Sequence, residues 1–254
     1  MSLSIALFQM DIVWQNPEVN LRRAEEFVRD AEADLVVLPE EFSTGFSIEL
    51  TPSAEDMEGQ TVAWMRSVAC RWGKAVAGSI PVWDEGRHYN RFIFAAPDGR
   101  LVTSDKRHLF RMGGENKYYT AGTERVVFEY GGFRILPLIC YDLRFPVWSR
   151  YRQDYDLILC VASWPSSRRN AWITLLRARA IENQCYVAGV NRVGHDDSAD
   201  YSGDSAIVDF MGYDIVAAGD GEQLLTARLK LEPLRRYRKR FAAWADADDF
   251  SLRG

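Results

Sequence analysis

Short apolar runs alternate along the chain with longer stretches in which apolar residues recur at helical spacing. Residues 4–8 form the first strand-like run. Asn16-Pro17 then supplies an N-cap and a proline at the first helical position. Leu21, Ala24, Phe27, Val28 and Ala31 share one face, which predicts a helix running to about Ala33. Asp34-Leu-Val-Val-Leu reads as a buried strand that stops at Pro39-Glu40. A second helix is predicted over 61–72, and a β-rich stretch over 75–105 with Asp98-Gly99 as a hairpin turn. Residues 108–122 combine mixed charge with paired glycines and read as a long loop. Strands are predicted at 133–140 and 156–161, with a short helix at 145–152 between them. A helix follows at 171–183, then strands at 185–191 and 205–216, the latter broken by a Met211-Gly212 turn. A last strand at 224–229 and a basic helix at 232–241 complete the pattern.

Strands alternating with helices imply an α/β architecture in which helices cover sheets. The meander at 75–105 adds antiparallel pairs, so the sheets are expected to be mixed. Ala33-Asp-Leu-Val-Val-Leu-Pro is echoed by Tyr155-Asp-Leu-Ile-Leu-Cys-Val. Two readings fit that echo: a pseudosymmetry between halves, or the sameness of any two buried strands. No linker or low-complexity segment interrupts the chain, so residues 1–254 read as one domain with a tail from about 242.

Composition narrows the partners. At 47% hydrophobic and 26% charged residues the chain can build a core. A net charge of -5 offers no field for nucleic acid or an anionic membrane. The opening MSLSIALFQM has no basic region and meets Asp11 at once, and the apolar runs at 35–39 and 158–162 are too short to span a bilayer. The cytoplasm is the expected compartment. Cys70, Cys140, Cys160 and Cys185 form no CxxC pair and no metal-ligand spacing with the three histidines, so free thiols and no metal are expected. Without a P-loop or a GxGxxG after a strand, no cofactor is implied either.

Three residues stand where chemistry is usually placed. Cys140 ends a strand and enters Tyr141-Asp142-Leu143-Arg144-Phe145, the strand-to-helix geometry of a nucleophile elbow without its glycines. A helix N-terminus there is expected to favour the thiolate. The alternative is a small core residue, the ordinary fate of a free cysteine. Cys70, Cys160 and Cys185 each fit simple burial. Glu40 ends its strand at the sheet's carboxyl edge, where a partly buried carboxylate can act as a general base, and Glu41 is its rival. Lys106 follows the strand at 101–104 and offers a fixed positive charge to an oxyanion, or else belongs to a solvated basic run. A Cys–His pair with His88, His108 or His195 has no local signature in its favour.

Leu38-Pro39-Glu40, Lys106 with His108-Leu109, and Cys140-Tyr141-Asp142-Leu143-Arg144-Phe145 resemble, in order, the three signature segments of the nitrilase superfamily of carbon-nitrogen hydrolases. Residues 178–184 and 201–205 extend the resemblance over nearly the whole chain. It implies a four-layer α-β-β-α sandwich of nitrilase type with two mixed sheets, paired into a homodimer through a helical face. It implies Glu40 as base in preference to Glu41, Lys106 as oxyanion partner, Cys140 as nucleophile, and Glu115 as a second glutamate. Tyr141 would add its backbone N–H to the oxyanion site. The expected reaction passes through a thioester on Cys140.

Within the superfamily, residues 39–46, 110–112 and 162–166 resemble the bacterial ω-amidase branch. That branch releases ammonia from the terminal amide of small α-keto acid monoamides such as 2-oxoglutaramate and 2-oxosuccinamate. An arginine is the usual answer to the substrate's carboxylate. Arg111, Arg168 and Arg169 are the loop candidates, while Arg144 is expected to pair with a nearby Asp. Trp164 and Phe42 are candidates to wall the pocket, the alternative being that they are core aromatics. The alternatives are an amidase acting on deaminated glutathione or an N-carbamoyl amine, or a binding protein on the same fold.

Overall fold

A computed structural model describes residues 1–47 and 54–252. The first half of the chain builds β1 (Ser2–Gln9), α1 (Pro17–Asp30), β2 (Leu35–Val37), α2 (Gln60–Trp72), β3 (Ala75–Asp84), β4 (Arg87–Ala95) and β5 (Leu101–Asp105). The second builds β6 (Phe128–Tyr130), β7 (Phe133–Ile139), α3 (Pro146–Ser149), β8 (Leu157–Ala162), α4 (Arg169–Asn183), β9 (Tyr186–Asn191), β10 (Val193–Asp196), β11 (Ala199–Ser202), β12 (Ala206–Val208) and β13 (Asp214–Ala217). The last strand, β14 (Gln223–Lys230), crosses back to the first sheet before α5 (Leu231–Arg240). The strand orders are β14-β1-β2-β3-β4-β5 and β13-β12-β9-β8-β7-β6. Each sheet has parallel strands at its centre and antiparallel pairs outside.

The period of two along each strand explains the layers. Leu3, Ile5 and Leu7 of β1 and Leu35 and Val37 of β2 meet Leu157, Leu159 and Val161 of β8 in one core between the sheets. The intervening side chains, Ala6, Phe8 and Val36, pack beneath Leu21, Ala24, Val28, Met65 and Val68 of α1 and α2. Ile158 and Cys160 likewise pack beneath Trp172 and Leu176 of α4. The result is the four-layer α-β-β-α sandwich with two mixed sheets. Gly189 on β9 lets α4 lie close, since a Cβ there would stand 2.5 Å from Leu176.

The echo between Asp34 and Asp156 is a real equivalence. Each precedes the middle strand of a parallel trio, and each carboxylate accepts the backbone N–H of the neighbouring strand, Ser4 at 2.8 Å and Arg134 at 3.1 Å. Each backbone carbonyl accepts from the start of the next strand, Ala75 at 2.9 Å and Tyr186 at 3.1 Å. The chain therefore repeats one β-α-β-α-β unit.

Several boundaries differ from the sequence reading. The Asn16 side chain caps α1 by accepting from Val19 N, but the helix stops at Asp30 because Ala31 is already extended. The helix expected over 145–152 is one turn, since Arg150 leaves helical geometry. The loop at 108–122 contains two short 3-10 turns, Arg111–Gly113 and Glu115–Lys117. The β10–β11 hairpin and β6 were not anticipated.

Candidate active site

The carboxyl ends of β2, β5, β7 and β8 converge on one cavity of about 290 Å³. Glu40, Lys106, Cys140, Tyr141 and Trp164 line it, together with Phe46, Phe110, Arg144, Ser163, Arg168 and Tyr201. Glu40, Lys106 and Glu115 are each at most 1% exposed, so their charges must satisfy one another. Lys106 Nζ donates to Glu40 Oε1 at 2.8 Å and to Glu115 Oε1 at 2.9 Å. Burial by itself would lower the Lys106 pKa, but Glu115 and Glu40 outweigh it and hold the ammonium well above its ordinary value. Glu115 is anchored from behind by Phe110 N at 2.6 Å, and its own pKa is raised, chiefly by burial.

Glu40 is aimed by three further donors. Asn90 Nδ2 donates to Oε1 and Ser163 N to Oε2, both at 2.8 Å. Ser163 Oγ donates to the Glu40 carbonyl at 3.2 Å. Glu41 leaves in another direction. It is fully buried, accepts from the Tyr119 hydroxyl at 2.9 Å, and does not line the cavity.

Cys140 stands at the junction of β7 and a 3-10 turn, Cys140–Arg144, with φ at 46°. A non-glycine residue in this left-handed region is strained, and such strain collects at functional sites. Asp142 holds the turn. Its Oδ2 accepts Ile139 N at 3.1 Å, and its Oδ1 accepts both His108 N and His108 Nδ1 at 2.8 Å. One carboxylate thus ties the Cys140 turn to the segment that follows Lys106. The thiol does not take the lowered pKa expected of a helix N-terminus. Burial, followed by the Glu40 charge, pushes it well above the ordinary thiol value, and a single short turn does not overcome that. Among the described residues no histidine lines the cavity, so His108 serves Asp142 and not Cys140.

The cavity walls correct three sequence expectations. Phe42 lies in the core beneath α2, with Gly78 and Trp64 beside it, and does not reach the cavity. Arg111 is exposed and also stands outside the lining, because its 3-10 turn presents Phe110 and Met112 instead. Arg144 has no carboxylate partner among the described residues. It lies 4.7 Å over the Trp164 ring and faces the cavity, and Asp142, the carboxylate nearest to it in sequence, is taken by His108 and Ile139. Arg169 is bound in a fork by Asp204 at 2.7 and 2.8 Å, which leaves Arg168 as the remaining loop arginine at the site. Asn90 went unnoticed in the sequence, where it stands among Arg87, His88, Tyr89 and Arg91, ahead of the apolar run of β4, and nothing local marks it.

A sandwich of this kind, in which a half-buried cysteine meets a buried carboxylate and a buried ammonium where the ends of two sheets converge, is the architecture of a hydrolase. The chain belongs to the carbon-nitrogen hydrolase family, whose model matches residues 4–239. It is 46% identical to the ω-amidase YafV of Yersinia enterocolitica, over 99% of both chains. It is 33% identical to the 2-oxoglutaramate amidase of Bacillus subtilis, over 97% of this chain and 98% of that one. Among solved structures it resembles XC1258 of Xanthomonas campestris, a CN-hydrolase superfamily protein with an arsenic adduct in the active site. That likeness has a TM-score of 0.96 and 46% identity, and covers 99% of each chain. Saccharomyces cerevisiae Nit3, of the nitrilase superfamily, follows with a TM-score of 0.86 and 25% identity over 94% of each chain.

Proposed function

We propose that this protein is an ω-amidase that releases ammonia from the terminal amide of a small α-keto acid monoamide, such as 2-oxoglutaramate or 2-oxosuccinamate. The observation that carries the reading is the polarity of one small cavity. Its lining combines the Glu40–Lys106–Cys140 set with two guanidiniums, Arg144 and Arg168, for which no carboxylate partner exists among the described residues. The full-length likeness to ω-amidases supports it.

Glu40 accepts the Cys140 proton as sulfur attacks the amide carbon, so the resting thiol need not be ionised. Lys106 and the Tyr141 N–H, which opens a turn and has no acceptor within it, hold the oxyanion. Collapse breaks the C–N bond, and the proton on Glu40 leaves with ammonia. Glu40 then activates water, which releases the acid from the thioester. Glu115 keeps Lys106 in place and charged, while Asn90 and the Ser163 amide fix Glu40. Arg144, on the turn that begins at Cys140, takes the substrate carboxylate, and Trp164 forms the shelf beneath its guanidinium.

Residues 1–254 act as one domain with a tail from about 242. The protein works as a cytoplasmic homodimer, a reading supported by its free thiols and by an apolar surface of Ile181, Met211, Tyr213 and Ile215. A substrate panel tests the activity. 2-Oxoglutaramate is expected to give a higher kcat/KM than a glutathione-derived amide or a simple nitrile. A preference for either of the others replaces the ω-amidase reading with another superfamily activity. No ammonia from any of them, with Cys140 inert to iodoacetamide, leaves only a binding protein.

A further inference from the structure

We infer that Arg168 is a specificity-determining residue that joins Arg144 in a two-guanidinium clamp on the substrate's carboxylate end. The inference rests on the ω-amidase reading and deepens it.

Arg168 and Arg169 stand at the start of α4, a fifteen-residue helix with no acidic residue in its first turn. Cations are disfavoured there, because the helix dipole presents its positive end. Arg169 is compensated by the Asp204 fork. Arg168 has no carboxylate partner among the described residues. Its guanidinium lies 5.1 Å over the Phe110 ring and lines the cavity.

The two unpaired guanidiniums belong to one construction. Arg144 rests on Trp164, whose Nε1 donates to the Arg168 carbonyl at 2.9 Å. Arg168 rests on Phe110, whose ring meets Tyr141 edge to face at 5.2 Å. The aromatic shelves hold both planar cations without neutralising them, so their donors stay free for an anion. Ser166 Oγ donates to the Asp200 carbonyl at 2.9 Å, which ties the segment carrying Arg168 to the β10–β11 hairpin on the cavity's other wall. Among the described residues Glu40 is the only carboxylate in the lining, and Lys106 already pairs with it. Among the described residues the outer part of the cavity holds no negative charge, and a substrate carboxylate supplies one.

Three five-carbon amides separate the outcomes: 2-oxoglutaramate, glutaramate, which keeps the carboxylate but not the keto group, and valeramide, which has neither. Arg168→Ala is expected to lower kcat/KM about 10- to 100-fold on the two carboxylate-bearing amides, mainly through KM. It should leave valeramide within about threefold of wild type, with Arg168→Lys falling between. An equal loss on valeramide, or no loss on any of the three, overturns the clamp. A wild-type enzyme that does not favour the carboxylate-bearing amides contradicts the ω-amidase reading itself, whatever Arg168→Ala does.

Discussion

Glu40 and Glu41 are adjacent and equally buried, yet only one faces the cavity. Glu40 receives Lys106, Asn90 and the Ser163 amide, whereas Glu41 turns into the protein toward Tyr119. Replacing Cys140 with Ala is expected to reduce ammonia release to background, and Lys106→Ala to lower kcat by a factor of about 100 to 1000. Glu40→Gln keeps the hydrogen-bonded shape but cannot take the proton, so its kcat should fall by about 100-fold or more at unchanged fold. Glu41 carries a different expectation. Burial first, and then the charge of Glu40, raise its pKa well above the ordinary carboxyl value. The unfolded carboxyl loses its proton near about 4.3, while the folded one retains it to higher pH. The stability linked to that proton is complete below about pH 4.3 and is lost as pH rises toward the folded value. Urea midpoints of Glu41→Gln should therefore gain on wild type as pH rises from about 5 to about 8. A difference that stays constant across that range contradicts the assignment.

At the scale of elements, the turn after β7 concentrates the most function in the fewest residues. Asp142→Ala removes the acceptor for Ile139 N, His108 N and His108 Nδ1 together. A loss of about 1–3 kcal/mol in unfolding free energy is expected, with a fall in kcat because Cys140 and the segment after Lys106 lose their common tie. Chemical denaturation beside steady-state kinetics checks both. Much at this scale was legible in the sequence. Asn16-Pro17 marked the start of α1, and the echo of Asp34 in Asp156 was visible, with both of its readings open until the shared hydrogen bonds decided for equivalence. Cys140 and Glu40 were placed by the strands they end. What escaped was what depends on long-range geometry. The β10–β11 hairpin is short and half exposed, so it carries no clear period. Phe42 was misread because the direction of a side chain after a strand is set by the turn, here with Glu41 at φ 46°. Arg144 was misread because its nearest carboxylate in sequence was already bound elsewhere. The Ser163 amide reaches Glu40 across 123 residues and leaves no trace in side-chain identity.

For the whole molecule, the repeated β-α-β-α-β unit explains why the site lies where it does. The facing sheets bring the carboxyl ends of β2 and β5 against those of β7 and β8, so neither half holds a complete set. Ile181 and Gly212 adjoin on the outer surface, with Met211, Tyr213 and Ile215 exposed nearby. Sedimentation should show a dimer for the wild type, and monomer for Ile181→Glu if this face is the interface. A monomeric wild type at micromolar concentration contradicts the homodimer. The most direct test of the central claim is the intact mass of the enzyme acid-quenched during turnover of 2-oxoglutaramate. A species heavier by the acyl group, mapped to the Cys140 peptide and absent in Cys140→Ala, is expected. Ammonia release with no acylated Cys140 under single-turnover sampling, or undiminished release by Cys140→Ala, would contradict it.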